Sequence, residues 1–146
     1  MSATARIAED EMLAVIAGIL PSLPGVVVKW PGEDGRQPPS QGVDWLGVGF
    51  NYDDGGQGSL SGPVSGSTRW QQDGFITVRC FGRVAVGGRA RAREMACAVR
   101  DAFRGRATVS GVWFRGQTIR DVGIDKGWYQ FNAIIPFEYD EVIPHV

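Results

Sequence analysis

The chain has 146 residues, 43% of them hydrophobic and 21% charged, with a formal net charge of −1. That length supports one domain, residues 1–146, with a core of its own, and so small a net charge excludes a global field drawing the molecule to nucleic acid or membrane. With 2 cysteines and 1 histidine, it has no disulfide framework, zinc-type ligand set or Ser/His pair inside the fold.

Met12, Val15, Ile16, Ile19 and Leu20 recur at helical spacing and predict an amphipathic helix over about Ala5 to Leu20. Glu9, Asp10 and Glu11 lie toward its start, where the helix dipole favours anions, and Pro21 and Pro24 stop it. This acidic, polar beginning is unlike a secretory signal, and no apolar run is long enough to span a bilayer. The expected place of synthesis and assembly is therefore the cytoplasm.

Val26 to Trp30 is β-branched, ends at Pro31-Gly32, and reads as a strand. A polar Pro/Gly loop, Glu33 to Gln41, leads to a second strand over Val43 to Tyr52. Leu46, Val48, Phe50 and Tyr52 share one face of that strand. Val43, Trp45, Gly47 and Gly49 share the other, where two glycines leave room for a close neighbour.

Asp53 to Ser67, DDGGQGSLSGPVSGS, is the most biased stretch. Only Leu60 and Val64 are apolar in it, so it is expected to be a mobile loop kept for binding. Strand character returns over Trp70 to Phe81, with Asp73-Gly74 read as a kink or bulge. Ile76, Val78 and Cys80 face one way; Phe75, Thr77, Arg79 and Phe81 face the other.

After a turn at Gly82 to Gly88, a second helix is predicted over about Arg89 to Arg104. Ala92, Met95, Ala96, Val99, Ala102 and Phe103 form its apolar side, and Gly105 suits its C-terminal cap. Short strands follow over Thr108 to Phe114 and Ile119 to Ile124. Asp125-Lys126-Gly127 turns the chain into a last strand, Trp128 to Tyr139, with Tyr129, Phe131, Ala133, Ile135, Phe137 and Tyr139 on one face. The tail from Asp140 to Val146 reads as loose. The expected fold class is α+β: a mostly antiparallel sheet, two packed helices and a long Gly-rich loop.

No credible catalytic or metal site emerges, and no cofactor is expected. His145, one residue from the C-terminus, is badly placed for a general base. Asp53-Asp54-Gly55-Gly56 lacks the alternating ligands and closing Glu of an EF-hand loop. Gly87-Gly88 lacks the Lys and Ser/Thr of a phosphate-binding loop. Cys80 sits on an apolar strand face and Cys97 on the polar side of its helix, so the two are not expected to be bonded. One constellation stands out. Arg89, Arg93, Arg100 and Arg104 fall in one narrow sector of the second helix, either as a solvated face or as a contact to acidic groups of a neighbouring subunit or to DNA phosphates.

The order of these pieces resembles a known family. An N-terminal amphipathic helix leads to VVVKWPGE, then VDWLGVGF, then a Gly-rich loop, then RWQQDGFITVRCFGRVAVG, a helix ending VRDAFRG, and finally WYQFNAIIPFEY. This is similar to the tail terminators, minor tail proteins of long-tailed bacteriophages. The resemblance implies a structural protein and not an enzyme. It implies a ring, usually of six subunits, at the head-proximal end of the virion's tail. The ring stops growth of the tail tube and provides the surface for head attachment. Its partners would be copies of itself, the tail-tube protein and a head-completion or connector protein, with DNA passing through without specific binding and no membrane involved. On this reading Asp53, Asp54, Gly55, Gly56, Leu60 and Val64 contact the tube or line the lumen, and Arg89, Arg93, Arg100 and Arg104 lie at a subunit interface. The alternatives are a head–tail connector ring and a nucleic-acid-binding module built on the arginine stripe.

Overall fold

The computed structural model describes residues 5–34, 37–39, 42–53, 56–57 and 67–144. The elements run α1 (Ala5–Ala17), β1 (Val27–Lys29), β2 (Trp45–Tyr52), β3 (Gly56–Gln57), β4 (Ser67–Arg83), α2 (Gly88–Phe103), β5 (Trp113–Phe114), β6 (Thr118–Asp125) and β7 (Trp128–Pro144). The strands make one 7-stranded sheet whose main path is β1-β2-β4-β7-β5, with β3 on β4 and β6 on β7. Both helices pack on one face of it, so the fold is α+β, as the sequence predicts.

Binary patterning explains that arrangement. Ala8, Met12 and Ile16 of α1 and Ala92, Met95, Ala96, Val99 and Phe103 of α2 are fully buried. Beneath them lie Leu46 and Val48, then Ile76, Val78 and Cys80, then Phe131, Ala133, Ile135, Phe137 and Tyr139. These are the strand faces that period-two alternation marks as apolar. Cys80 and Cys97 are both free, and burial pushes the Cys80 thiol up.

Several expectations need correction. Helix α1 stops at Ala17, and the Ile19–Leu20 end of the stripe continues as a 3-10 turn over Leu20–Ser22, because Pro21 cannot supply the next helical N–H. Strand β1 pairs with β2 in parallel, the exception in an otherwise antiparallel sheet. The long connection over residues 30–44 makes that crossover possible. Asp73-Gly74 is no bulge, since β4 keeps register with β2 and β7 through it. Gly74 is there because a Cβ would strike the Asn51 carbonyl oxygen and the Phe137 ring. The register shift lies in β6, between Asp121 and Gly123.

Thr108 to Phe114 is not one strand. Thr108 and Val112 close a tight turn around Ser110-Gly111, and only Trp113–Phe114 joins the sheet. Nor is Asp140 to Val146 loose as a whole: β7 runs on to Pro144, paired residue by residue with Ser67–Gln71 of β4. Those ladder hydrogen bonds outweigh the polar composition that marked the segment as a tail. His145 lies outside the described residues.

Side-chain clamps tie the layers together. Ser110 donates its hydroxyl and backbone N–H to the Glu11 carboxylate of α1, at 2.8 and 3.3 Å. Partial burial works against the charged form, but the hydrogen bonds from Thr108 and Ser110 hold the Glu11 carboxyl below its ordinary value of 4.5. A carboxyl depressed on folding stabilises the protein above its unfolded value, and that contribution is lost as pH falls through the folded value. The melting-temperature gap between wild type and Glu11→Gln is therefore expected to be constant at neutral pH and to close below about pH 4.5. A gap unchanged down to pH 3 would sink this assignment. On the same side of the sheet, Tyr52 donates to Glu9, joining β2 to α1.

Candidate functional site

The sequence marks Asp53 to Ser67 as a loop that reaches a partner. Asp53 donates its N–H to the Asp73 carbonyl, and Gly56–Gln57 form β3, paired with Gln71 and Trp70. The segment therefore leaves and rejoins the sheet at the edge of β4. Asp54, Gly55, Leu60 and Val64 lie outside the described residues.

The arginine stripe is on the exposed side of α2, and most of it is satisfied within the subunit. Arg89 Nε is 3.2 Å from Asp121 Oδ2, and its guanidinium stands 5.4 Å from the Phe131 ring centroid. Tyr129 donates to the other Asp121 oxygen at 2.6 Å. Arg100 and Arg104 both reach Asp101, at 3.1 and 3.6 Å. Arg93 is exposed, with no ion pair among the described residues. The helix spacing visible in the sequence is real, but Asp121 comes from β6, which periodicity along α2 could not reveal.

Asp44 is a cluster centre that pattern reading passed over. Only 7% exposed, it accepts the Arg83 N–H at 3.0 Å, Arg83 Nε at 3.4 Å and Arg91 Nε at 3.1 Å. Arg91 also donates to the Pro24 carbonyl. One carboxylate thus joins the start of β2 to the end of β4 and to α2. An isolated Asp before a strand carries no local signal of such a role.

The sheet face away from the helices is the other distinctive surface. Trp45 and Phe81 stack there with ring centroids 4.1 Å apart, and Trp128 meets Trp45 edge-on at 6.4 Å. With Pro38, Arg79, Asp125, Lys126 and Gln130 they line a cavity of about 350 Å³. Next to it, Lys29 is across from Gly47, Gly47 from Arg79, Arg79 from Asn132, and Asn132 from Arg120. Directly opposed residues project from one face. Their chain neighbours Val28, Leu46, Val78, Ala133 and Ile119 all pack into the helix-side core. Lys29, Arg79 and Arg120 therefore make a row of cations across the open face, at intervals of roughly 10 Å. Gly47 fits the row because the Arg79 guanidinium lies over it, 3.1 Å from where a Cβ would stand.

No group of three or more His, Cys, Asp or Glu side chains among the described residues could hold a metal ion, and no helix there is long and apolar enough to cross a membrane. No family model matches the chain, and no curated protein matches it. Among solved structures, a chain from the virion of a native gene transfer agent particle overlays this one with a TM-score of 0.43 at 20% identity. The overlay covers 87% of this chain and 85% of that one. So loose an overlay leaves function to be argued from this chain's own residues.

Proposed function

We propose that this protein is a ring-forming structural subunit that ends growth of a phage tail tube and offers the head its attachment surface. It would sit at the head-proximal end of the tail, self-assembled, between the tube protein and a head-completion protein, with DNA passing through the ring. The observation that carries this reading is the stretch from Asp73 to Gly105, where the family resemblance is densest. Each of its features has a structural reason in this fold. Gly74 admits the β2 backbone, Gly82 admits the start of α2, Gly87 turns the chain at φ 79°, and Phe103 closes α2 fully buried. The open sheet face and the exposed side of α2 then remain for neighbours, as a subunit of an assembly requires.

Within that reading the segment over residues 53–67 contacts the tube or lines the channel, and Arg93 is the stripe residue offered to an adjoining subunit. Purified protein mixed with tail tubes is expected to cap tube ends in negative-stain images. Binding to heads in place of tubes would favour a connector. Shortening residues 55–66 to a tight turn removes the two-residue β3 and is expected to abolish capping and give tails of uncontrolled length. Normal tails from that variant would show the segment to be dispensable. Arg93→Glu with Arg100→Glu should weaken ring formation, more at low salt; equal assembly would reduce the stripe to a solvated face.

A further inference from the structure

The turn between α2 and β5 presents an apolar side chain where turns ordinarily carry polar ones. Val109 is 94% exposed, the most exposed of the large hydrophobic side chains among the described residues. Its backbone is firmly held. The Thr108 N–H donates to the Val112 carbonyl and the Gly111 N–H to the Thr108 carbonyl, each at 3.0 Å, and the Thr108 hydroxyl accepts the Val112 N–H at 3.1 Å. Ser110, the next residue, is anchored on Glu11 of α1. A side chain on a turn fixed in this way loses little freedom when a partner covers it. Beside it is a cavity of about 280 Å³, with Glu11, Ala14 and Val15 of α1 as one wall and residues 106–109 as the other. Val109 stands on the rim and, being so exposed, does not fill it. The two walls also carry opposite charges. Arg106 is exposed, Glu11 accepts from the uncharged Thr108 and Ser110, and neither has an ion pair among the described residues.

We propose that this surface docks a second copy of the chain about a two-fold axis, with Val109 of each copy entering the cavity between α1 and the 106–109 segment of the other. The occupant follows from the layout. Knob and hollow are side by side, so a two-fold axis lying between them in the contact plane carries each onto the other, the self-complementarity of an isologous interface. The same rotation sets the 106–109 wall of one copy over the α1 wall of the other, and so brings Arg106 to Glu11. Each of these charges, without a counterion inside its own subunit, gains one across the contact. Ala14 suits the hollow, because its short, exposed side chain leaves room for the valine. The contact stands apart from the ring reading. A two-fold axis joins two subunits, or two rings face to face, and adds nothing to the circumference of one.

Sedimentation velocity over a concentration series tests this. The wild type is expected to associate reversibly in pairs. Val109→Asp removes the knob and Ala14→Trp blocks the hollow, and each is expected to need roughly tenfold more protein for the same association. Arg106→Glu sets a carboxylate against Glu11 and is expected to weaken pairing most at low salt. All three positions are exposed, so these variants should fold. Far-UV circular dichroism checks that, and Val109→Ser replaces Val109→Asp should the latter unfold. A disulfide trap in a Cys97→Ser background reads the geometry itself. Val109→Cys mixed with Ala14→Cys is expected to give a covalent heterodimer in excess of the homodimers formed by either alone. Wild-type pairing by Val109→Asp and Ala14→Trp, or no excess of heterodimer in the trap, overturns the docking surface. So does a wild type that stays monomeric or forms only single rings; single rings leave the ring reading standing. If the wild type does not pair and Val109→Asp abolishes capping of tail tubes, the surface belongs to the tube protein and self-docking is overturned.

Discussion

Replacing Asp44 by alanine should destabilise the fold by about 3 kcal/mol, the cost of leaving partly buried cations without their carboxylate. Asp44 is the shared acceptor of Arg83 and Arg91, and its side chain is 10% exposed. Arg91, at 22% exposed, loses more than Arg83, which at 40% recovers much of its hydration. For a chain of this length the loss corresponds to a fall in melting temperature of roughly 10 °C. Asp44→Asn keeps one acceptor oxygen and should lose about half as much. Denaturant unfolding checks this, with an unchanged slope showing that the folded surface is the same. A loss under about 1 kcal/mol would mean that the cluster acts as an ordinary surface ion pair.

Gly82→Ala should cost about 2–3 kcal/mol through overpacking. A Cβ at residue 82 would collide with the Gly88 carbonyl oxygen and stand 3.1 Å from the Ala92 nitrogen. Both obstacles are backbone, so the first turn of α2 must lift from β4 for the methyl to fit. Gly49→Ala is the matched control on the open face, where an added Cβ meets nothing within 4 Å. It should be nearly neutral, or slightly stabilising through reduced freedom of the unfolded chain. If both variants melt alike, close contact between strand and helix is not what residue 82 provides.

The two predictions concern one seam, and they show where sequence reading reaches its limit. A glycine in the turn after a strand looks like any other turn residue until the helix it admits is in place. The stripe on α2 was legible because helical spacing is local, whereas composition marked Asp53 to Ser67 as loop although Gly56–Gln57 pair with β4 and Ser67 begins it. Asp121, which reaches Arg89 from β6, was not legible.

The sequence by itself determined the helices, most of the strands and the buried face of each. Period-two and helical alternation are written along the chain, and burying the apolar side is the dominant favourable term in folding. It also determined the turn at Lys126-Gly127, where both residues have positive φ, as a two-residue hairpin turn demands. Only the tertiary structure decided what lies across from what. Register between distant strands set Lys29, Arg79 and Arg120 in one row, placed Asp73 against Glu138, and carried β7 on to Pro144. The physical reason is that the backbone hydrogen bonds of a helix join residues four apart, whereas those of a sheet join segments whose separation in the chain is arbitrary.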